Sequence, residues 1–317
     1  MPLCSKAPGP HRKLPFFIIS RKELGTIHTL ERKWGSIILG LLPAVLIYSV
    51  FCIFPIFISF YYSFMDWDGL STMSFIGLDN FREVLQDSIF WKGALNNLYV
   101  VLASVFGQVP IALGVALLLN SKLKFLGFFR TVGFLPVVIS SVIVSVVWNM
   151  IYNYEIGPLN GILRAVGLDS LVHNWLGDPA TAMGSVNVTI VWQFIGMYLV
   201  ILLAALQNIS GEVYEAAEID GATGWQRTWR ITLPMLKSTI LVCVMLCISG
   251  SLRTFDLIYA MTNGGPFHST EVMAIYMYNE TFSSLRYGYG SAVSLLIFIF
   301  SFALVMFANK LLKPKDD

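Results

Sequence analysis

At 317 residues, 56% hydrophobic and only 13% charged, the chain carries about half the charge of an ordinary soluble domain. Its mean hydropathy of +0.69 excludes a typical soluble enzyme and points to a polytopic membrane protein. The net charge of +2 leaves no broad basic surface for nucleic acid.

In chain order, residues 1–35 carry scattered positive charge and one short apolar patch, Leu14 to Ile19. No small-residue cleavage pattern follows, so the segment reads as a cytoplasmic tail with room for an interfacial helix rather than a signal peptide. Six apolar runs follow, at 36–63, 94–119, 129–152, 184–206, 237–262 and 290–311. Each is long enough to cross a hydrocarbon core of about 30 Å as a helix. They are too long for barrel strands and lack the alternation of strands. The expected fold is an all-α polytopic membrane protein with six transmembrane helices, a permease domain over 36–312 and a short C-terminus at 313–317.

Lysine and arginine fix the expected topology. Sixteen fall in the tail, the second and fourth loops and the C-terminus; four (Arg82, Lys92, Arg164 and Arg286) fall in the other three loops. By the positive-inside rule both termini and the loop at about 207–236 are cytoplasmic. The loops at 64–93 and 153–183 are then external. Both are rich in Trp, Asp, Asn and Gly, which suits either surface helices against an external partner or plain solvated connections.

The 207–236 loop has strong local signals. Asn208 or Ser210 can cap a short helix starting near Glu212, with Glu212 and Glu215 near its positive end. Gly221 can end that helix in the left-handed conformation, and Thr223 can cap a second one through Trp225 and Trp229. Pro234 suits the first turn of the next span. The expected result is a compact helical knob; an interfacial loop with its tryptophans at the headgroups is the plainer reading.

Glu215-Ala216-Ala217, then Asp220-Gly221, then Ile231-Thr232-Leu233-Pro234 closely resembles the EAA loop of the membrane subunits of binding-protein-dependent ABC importers. The resemblance extends over nearly all of residues 36–312. Phe75-Ile76-Gly77-Leu78-Asp79-Asn80-Phe81, Phe134-Leu135-Pro136, Gly157-Pro158-Leu159-Asn160 and Phe255-Asp256-Leu257-Ile258-Tyr259 with Thr262-Asn263-Gly264-Gly265-Pro266 are similar to carbohydrate-type permeases of the maltose-transporter branch. The resemblance implies the type I importer fold and a place in a bacterial cytoplasmic (inner) membrane, among lipid. It implies a second homologous permease, two ATPase subunits docked on Glu215, Ala216, Ala217, Asp220, Gly221, Leu233 and Pro234, and an extracytoplasmic solute-binding protein. ATP and Mg would belong to those ATPases, with no cofactor in this chain. Indeed the sequence has no Gly-Lys dipeptide and so no P-loop.

Polar groups inside spans tend to face a cavity or another helix. In span 4, Trp192, Gln193 and Tyr198 offer aromatic faces beside an amide, a combination suited to a sugar. In span 5, Arg253, Asp256 and Tyr259 recur at helical spacing on one face, where the two charges can pair. These six are the solute-path candidates, although an internal ion pair and interfacial anchors explain the same residues. Gly107, Pro110 and Gly114 in span 2 fit close packing and a kink. Cys243 and Cys247, four apart on one face, read as packing thiols, and the histidines, His268 among them, as solvated residues; no metal-ligand or catalytic grouping stands out. The alternatives are a glycerol-phosphate-type ABC permease and, with less to support it, an ion-coupled secondary transporter, which would need a repeat and membrane carboxylates.

Overall fold

The computed structural model describes residues 34–120 and 126–312. The tail at 1–33, Lys122 and Lys124, and the C-terminus at 313–317 lie outside the described residues. The chain divides into two units, 1–56 and 57–317. The described part of the first is helix α1 (Trp34–Tyr48), a π-type turn, Ser49–Ile53, and the three residues after it. The helical path continues as α2 (Phe54–Tyr62). Within it Ile38–Tyr62 is apolar and long enough to cross a membrane.

In the second unit, β1 (Met65–Asp66) pairs antiparallel with β2 (Ser74–Phe75). Next come α3 (Asp79–Gln86), the long α4 (Ser88–Leu119), α5 (Leu126–Val138), α6 (Ser141–Ile151) and α7 (Pro158–Ala165). The second half holds α8 (Pro179–Gln207), α9 (Gly211–Ile219), α10 (Gly224–Arg227), α11 (Leu233–Ser251), α12 (Asp256–Thr262), α13 (Met273–Tyr278) and α14 (Tyr287–Leu312). Among the described residues, five helices are long and apolar enough to span a bilayer, and the bent pair α5 and α6 makes a sixth crossing if it is counted as one span.

Two expected spans are therefore not single helices. The run 129–152 is broken at Ile139–Ser140, and its halves meet at 97°. The run 237–262 stops at Ser251 and resumes at Asp256. At the first break the residues on either side of Ser140 and Ser141 are as apolar as the helices, so hydropathy does not register it; the second falls on the polar stretch Arg253-Thr254, which apolar runs on either side conceal in a sliding window. Spans 2 and 4 also start earlier than their apolar runs. Asp87 caps α4 by accepting from Ile89 N–H at 2.7 Å, and Asp178 caps α8 by accepting from Ala180 N–H at 2.9 Å.

The core lies where α4, α8 and α11 pack. Ala112 and Ala116 of α4 are fully buried against Leu199, Leu202 and Leu203 of α8, with Cys243 and Cys247 of α11 closing the cluster. Small residues let the backbones approach, which is how helices associate where lipid supplies no hydrophobic drive. A Cβ on Gly107 would come within 2.9 Å of Val191, so that glycine serves packing. Gln108 is the polar stitch: its amide donates to Ile190 C=O at 3.3 Å, and its Oε1 accepts from the Cys247 thiol at 3.4 Å.

At the opposite end of α4 the loops are tied down by amides. Asn97 accepts from Met273 N–H at 2.9 Å, and Asn80 donates to Ser63 and Met65 carbonyls at 3.0 and 2.9 Å. Tyr276 donates to Asp87 at 2.5 Å and meets Tyr289 at 2.7 Å. Burial, then the hydrogen bond to Asp87, pushes the Tyr276 phenol well above its ordinary range, so it remains a donor. His268 is not simply solvated: its ring pairs with the buried Glu271 carboxylate.

Candidate functional site

The segment after α8 folds as a capped helical hairpin. Ser210 accepts from Glu212 N–H at 3.3 Å to start α9. Its end is a left-handed glycine cap: Gly221 has φ +74°, Gly221 N–H bonds Glu218 C=O at 3.0 Å, and Ala222 N–H bonds Ala217 C=O at 2.9 Å. Thr223 and Gln226 then form a reciprocal capping box, at 3.3 and 2.9 Å, to start α10. Arg227 reaches Glu218 at 3.6 Å across the turn, and Tyr214 meets Thr232 at 3.2 Å at the base. The caps are local and the other two ties close within the segment, so it folds as one unit.

Pro234 lies in the first turn of α11, as expected, but no break separates α10 from α11. Helix runs without interruption from Gly224 to Ser251. It absorbs the proline by widening to a π-type turn at Thr228–Thr232, closed by Leu233 N–H to Thr228 C=O. Proline supplies no N–H and its ring crowds the carbonyl four residues back, so a widened turn just before it accommodates both effects. The hairpin is thus continuous with span 5, and a push on α10 is carried along one helix.

At the far end of span 5, the two helix breaks face each other. Ser141 of α6, Phe194 of α8, and Gly250 with Arg253 to Leu257 enclose a cavity of about 130 Å³. Irregular backbone inside a membrane is tolerated only where protein or a water-filled space satisfies it. Gln193 does part of this. It is 1% exposed, and its amide donates to Ile139 C=O at 3.2 Å and to Ser141 Oγ at 3.4 Å. Ser145 adds a bond to Leu257 C=O at 3.2 Å, joining the two breaks. Gln193→Met keeps the volume but loses both donations, and should destabilise the chain by about 1–3 kcal/mol. Thermal unfolding in detergent measures this; an unchanged midpoint would mean the bend does not depend on the amide.

The family model for the inner membrane component of binding-protein-dependent transport systems matches residues 89–315. The chain belongs to this family. It is 38% identical over 282 residues to the probable ABC transporter permease YurN of Bacillus subtilis, covering 88% of this chain and 96% of that one. It is 34% identical to MsmF of Streptococcus mutans, the permease of a multiple sugar-binding transport system, covering 85% and 92%. The crystal structure of a bacterial ABC transporter that imports alginate contains a chain with a TM-score of 0.80 and 25% identity, covering 93% of this chain and all of that one. The protein is an ABC importer permease of type I fold, a transport component rather than an enzyme. Membership does not favour the ion-coupled carrier.

The permease brings only some of its sequence-predicted path residues together. Arg253 and Asp256 both line the cavity, but they do not pair. They straddle the break instead of sharing a helical face; Asp256 opens α12 and the Arg253 guanidinium donates to Ser249 Oγ at 3.5 Å. Tyr259 stacks on Phe255, a cavity residue, at 5.1 Å. Trp192 is 41% exposed and meets Trp148 edge-on at 5.5 Å, on a different face of α8 from Phe194. Gln193 lies behind the cavity wall, and Tyr198, 2% exposed, is packed in the α4–α8–α11 core. In this conformation neither of the last two presents its side chain to solute.

On the hairpin, Glu215, Ala216, Asp220, Gly221 and Pro234 are exposed, Leu233 is half-buried, and Ala217 is buried against the base. Sequence reasoning missed Ile219, which is 87% exposed beside them. A large aliphatic residue inside an otherwise polar loop was the available signal. It also missed Phe255, Thr254 and Ser141, whose importance follows from the breaks.

Proposed function

We propose that this permease forms half of the transmembrane pathway for a sugar or oligosaccharide, delivered by an external solute-binding protein and driven by a separate ATPase docked on the hairpin. The observation that carries the coupling assignment is the hairpin itself: locally fixed on every side, yet presenting Glu215, Ala216, Ile219 and Trp225 to solvent. An exposed apolar patch with a carboxylate beside it calls for a protein partner. Both termini and the hairpin are then cytoplasmic, in a bacterial inner membrane, with 1–35 as a tail and 36–312 as the transmembrane domain. ATP and Mg sit on the two ATPase subunits.

Size as well as family supports a second, homologous permease as partner. A cavity of about 130 Å³ is well below the roughly 300–1,000 Å³ of small-molecule sites, so one subunit offers only part of an enclosure. Nucleotide that binds the closed ATPase pair better than the open one shifts the permease pair outward through the hairpins; hydrolysis returns it. The sugar assignment is supported by relatives such as the MsmF permease and by aromatic faces at Phe194, Phe255 and Tyr259 around the cavity. Arg253, lining the cavity without a carboxylate partner, favours a glycerol phosphate as the second reading.

Uptake by cells carrying the whole system should collapse on ATP depletion and persist with a proton uncoupler at constant ATP; the reverse pattern would sink the importer assignment. Competition by unlabelled glycerol 3-phosphate separates the two substrate readings. Trp192→Ala should lower uptake up to about tenfold at unchanged membrane abundance, given the roughly 0.5–1.5 kcal/mol that an aromatic contact supplies. Unchanged uptake kinetics would remove Trp192 from the path.

A further inference from the structure

We propose that the cleft between the end of α6 and the loop before α8 is a saccharide-binding vestibule on the external side, occupied before the solute reaches Trp192. The proposal rests on the saccharide reading above. The cleft has a volume of about 450 Å³ and is walled by Asn149, Tyr152, Asn153, Tyr154, Glu155 and Asn174. That volume falls within the range of small-molecule sites. It adjoins the N-terminal end of α8, a helix of 29 residues. The hairpin lies at the other end, about 43 Å away along the axis.

The lining has unused hydrogen-bonding capacity of both kinds. Asn153 Oδ1 accepts from Glu155 and Ile156 N–H at 3.0 and 3.1 Å, and Asn174 Oδ1 accepts from Gly177 N–H at 3.2 Å. Their side-chain NH₂ groups remain as donors. The Glu155 carboxylate has no partner among the described residues, because Arg164 donates to the Glu155 main-chain oxygen instead, at 3.3 Å. Asn149 Oδ1 is buried without any donor. Such an oxygen is rare in a folded protein, and a small turn of the amide offers it to a hydroxyl in the cleft. Donors and acceptors set beside aromatic walls match a polyhydroxylated ring.

The wall is already formed. Arg164 holds the loop through Tyr154 C=O at 3.2 Å and lies 5.7 Å over the Tyr154 ring, while Tyr152 OH donates to Ser185 C=O at 3.0 Å. Aromatic contact then leads inward: Tyr152 meets Trp148 at 5.1 Å, and Trp148 meets Trp192 at 5.5 Å. Two other occupants fit poorly. Glu155 is the one carboxylate in this lining, far short of the six to eight oxygens that calcium takes. The Glu155 carboxylate opposes an anion.

The test is uptake kinetics in cells carrying the complete transporter, with radiolabelled maltotriose, raffinose and cellotriose as probes. With a transported probe, Asn149→Ala and Glu155→Ala should each raise KM about tenfold at unchanged maximal rate and membrane abundance. Glu155→Gln, which keeps an acceptor oxygen, should recover most of the loss. Glu155 is exposed, so its variants report even where Asn149→Ala does not fold. Unchanged KM in the Glu155 variants, or a lower maximal rate at constant KM, overturns the vestibule and leaves the saccharide reading intact. Wild-type cells that take up none of the three probes overturn both.

Discussion

Reversing the charge at Glu215, by Glu215→Lys, should cut uptake about a hundredfold while leaving insertion and abundance unchanged. The hairpin is held without this side chain. Its supports are the Ser210 cap, the left-handed Gly221, the capping box of Thr223 and Gln226, the Arg227–Glu218 ion pair and the Tyr214–Thr232 bond. Glu215 is exposed and sits in the middle of α9, where the helix dipole no longer discriminates between charges. The substitution therefore reports on what docks there. A charge reversed inside a protein contact typically costs about 2–5 kcal/mol, enough for a hundredfold loss. Uptake, membrane immunoblotting and binding-protein-stimulated ATP hydrolysis in the purified complex check it together. Normal uptake at normal abundance would mean that the ATPase docks elsewhere.

The second large effect is structural. Gly196→Ala should destabilise the permease by about 3 kcal/mol. A Cβ at 196 would lie 2.2 Å from Gly133 C=O and 2.8 Å from Phe134 Cα, both backbone atoms that cannot rotate aside. Helices α5 and α8 must separate to admit it, at the upper end of the cost of overpacking. Gln193, one turn earlier on α8, would lose its hold on Ile139 and Ser141 as the helices part. Two other glycines grade the experiment. Gly107→Ala meets the Val191 side chain at 2.9 Å, which can shift, while Gly114→Ala meets nothing within 4 Å. The expected order of unfolding temperatures in detergent is Gly114→Ala highest, Gly107→Ala next and Gly196→Ala lowest. Equal values for all three would refute the close approach of α5 and α8.

These two sites differ in how far they could be read from the chain. The caps of the hairpin are short-range: each of Ser210, Gly221 and Thr223 acts within about five residues, so propensity and spacing identify them before any fold is known. The number of apolar crossings is equally visible, since each follows from length and hydropathy. Gly196 carries no such mark. Its role comes from a backbone carbonyl 63 positions earlier that happens to cross at that height.

What the sequence determined by itself was therefore the all-helical membrane class, the family and the caps of the hairpin that carries Glu215. Tertiary structure alone decided where two spans break, that Arg253 and Asp256 face a cavity rather than each other, and that Gln193 and Tyr198 are buried. It alone assembled the polar cleft around Asn149 from two segments of chain. The physical reason is that in an apolar helix both faces are apolar, so periodicity does not say which side meets lipid, protein or solute. A helix can break inside the membrane only where distant groups satisfy its freed carbonyls, and those groups are specified by packing rather than by neighbours in sequence.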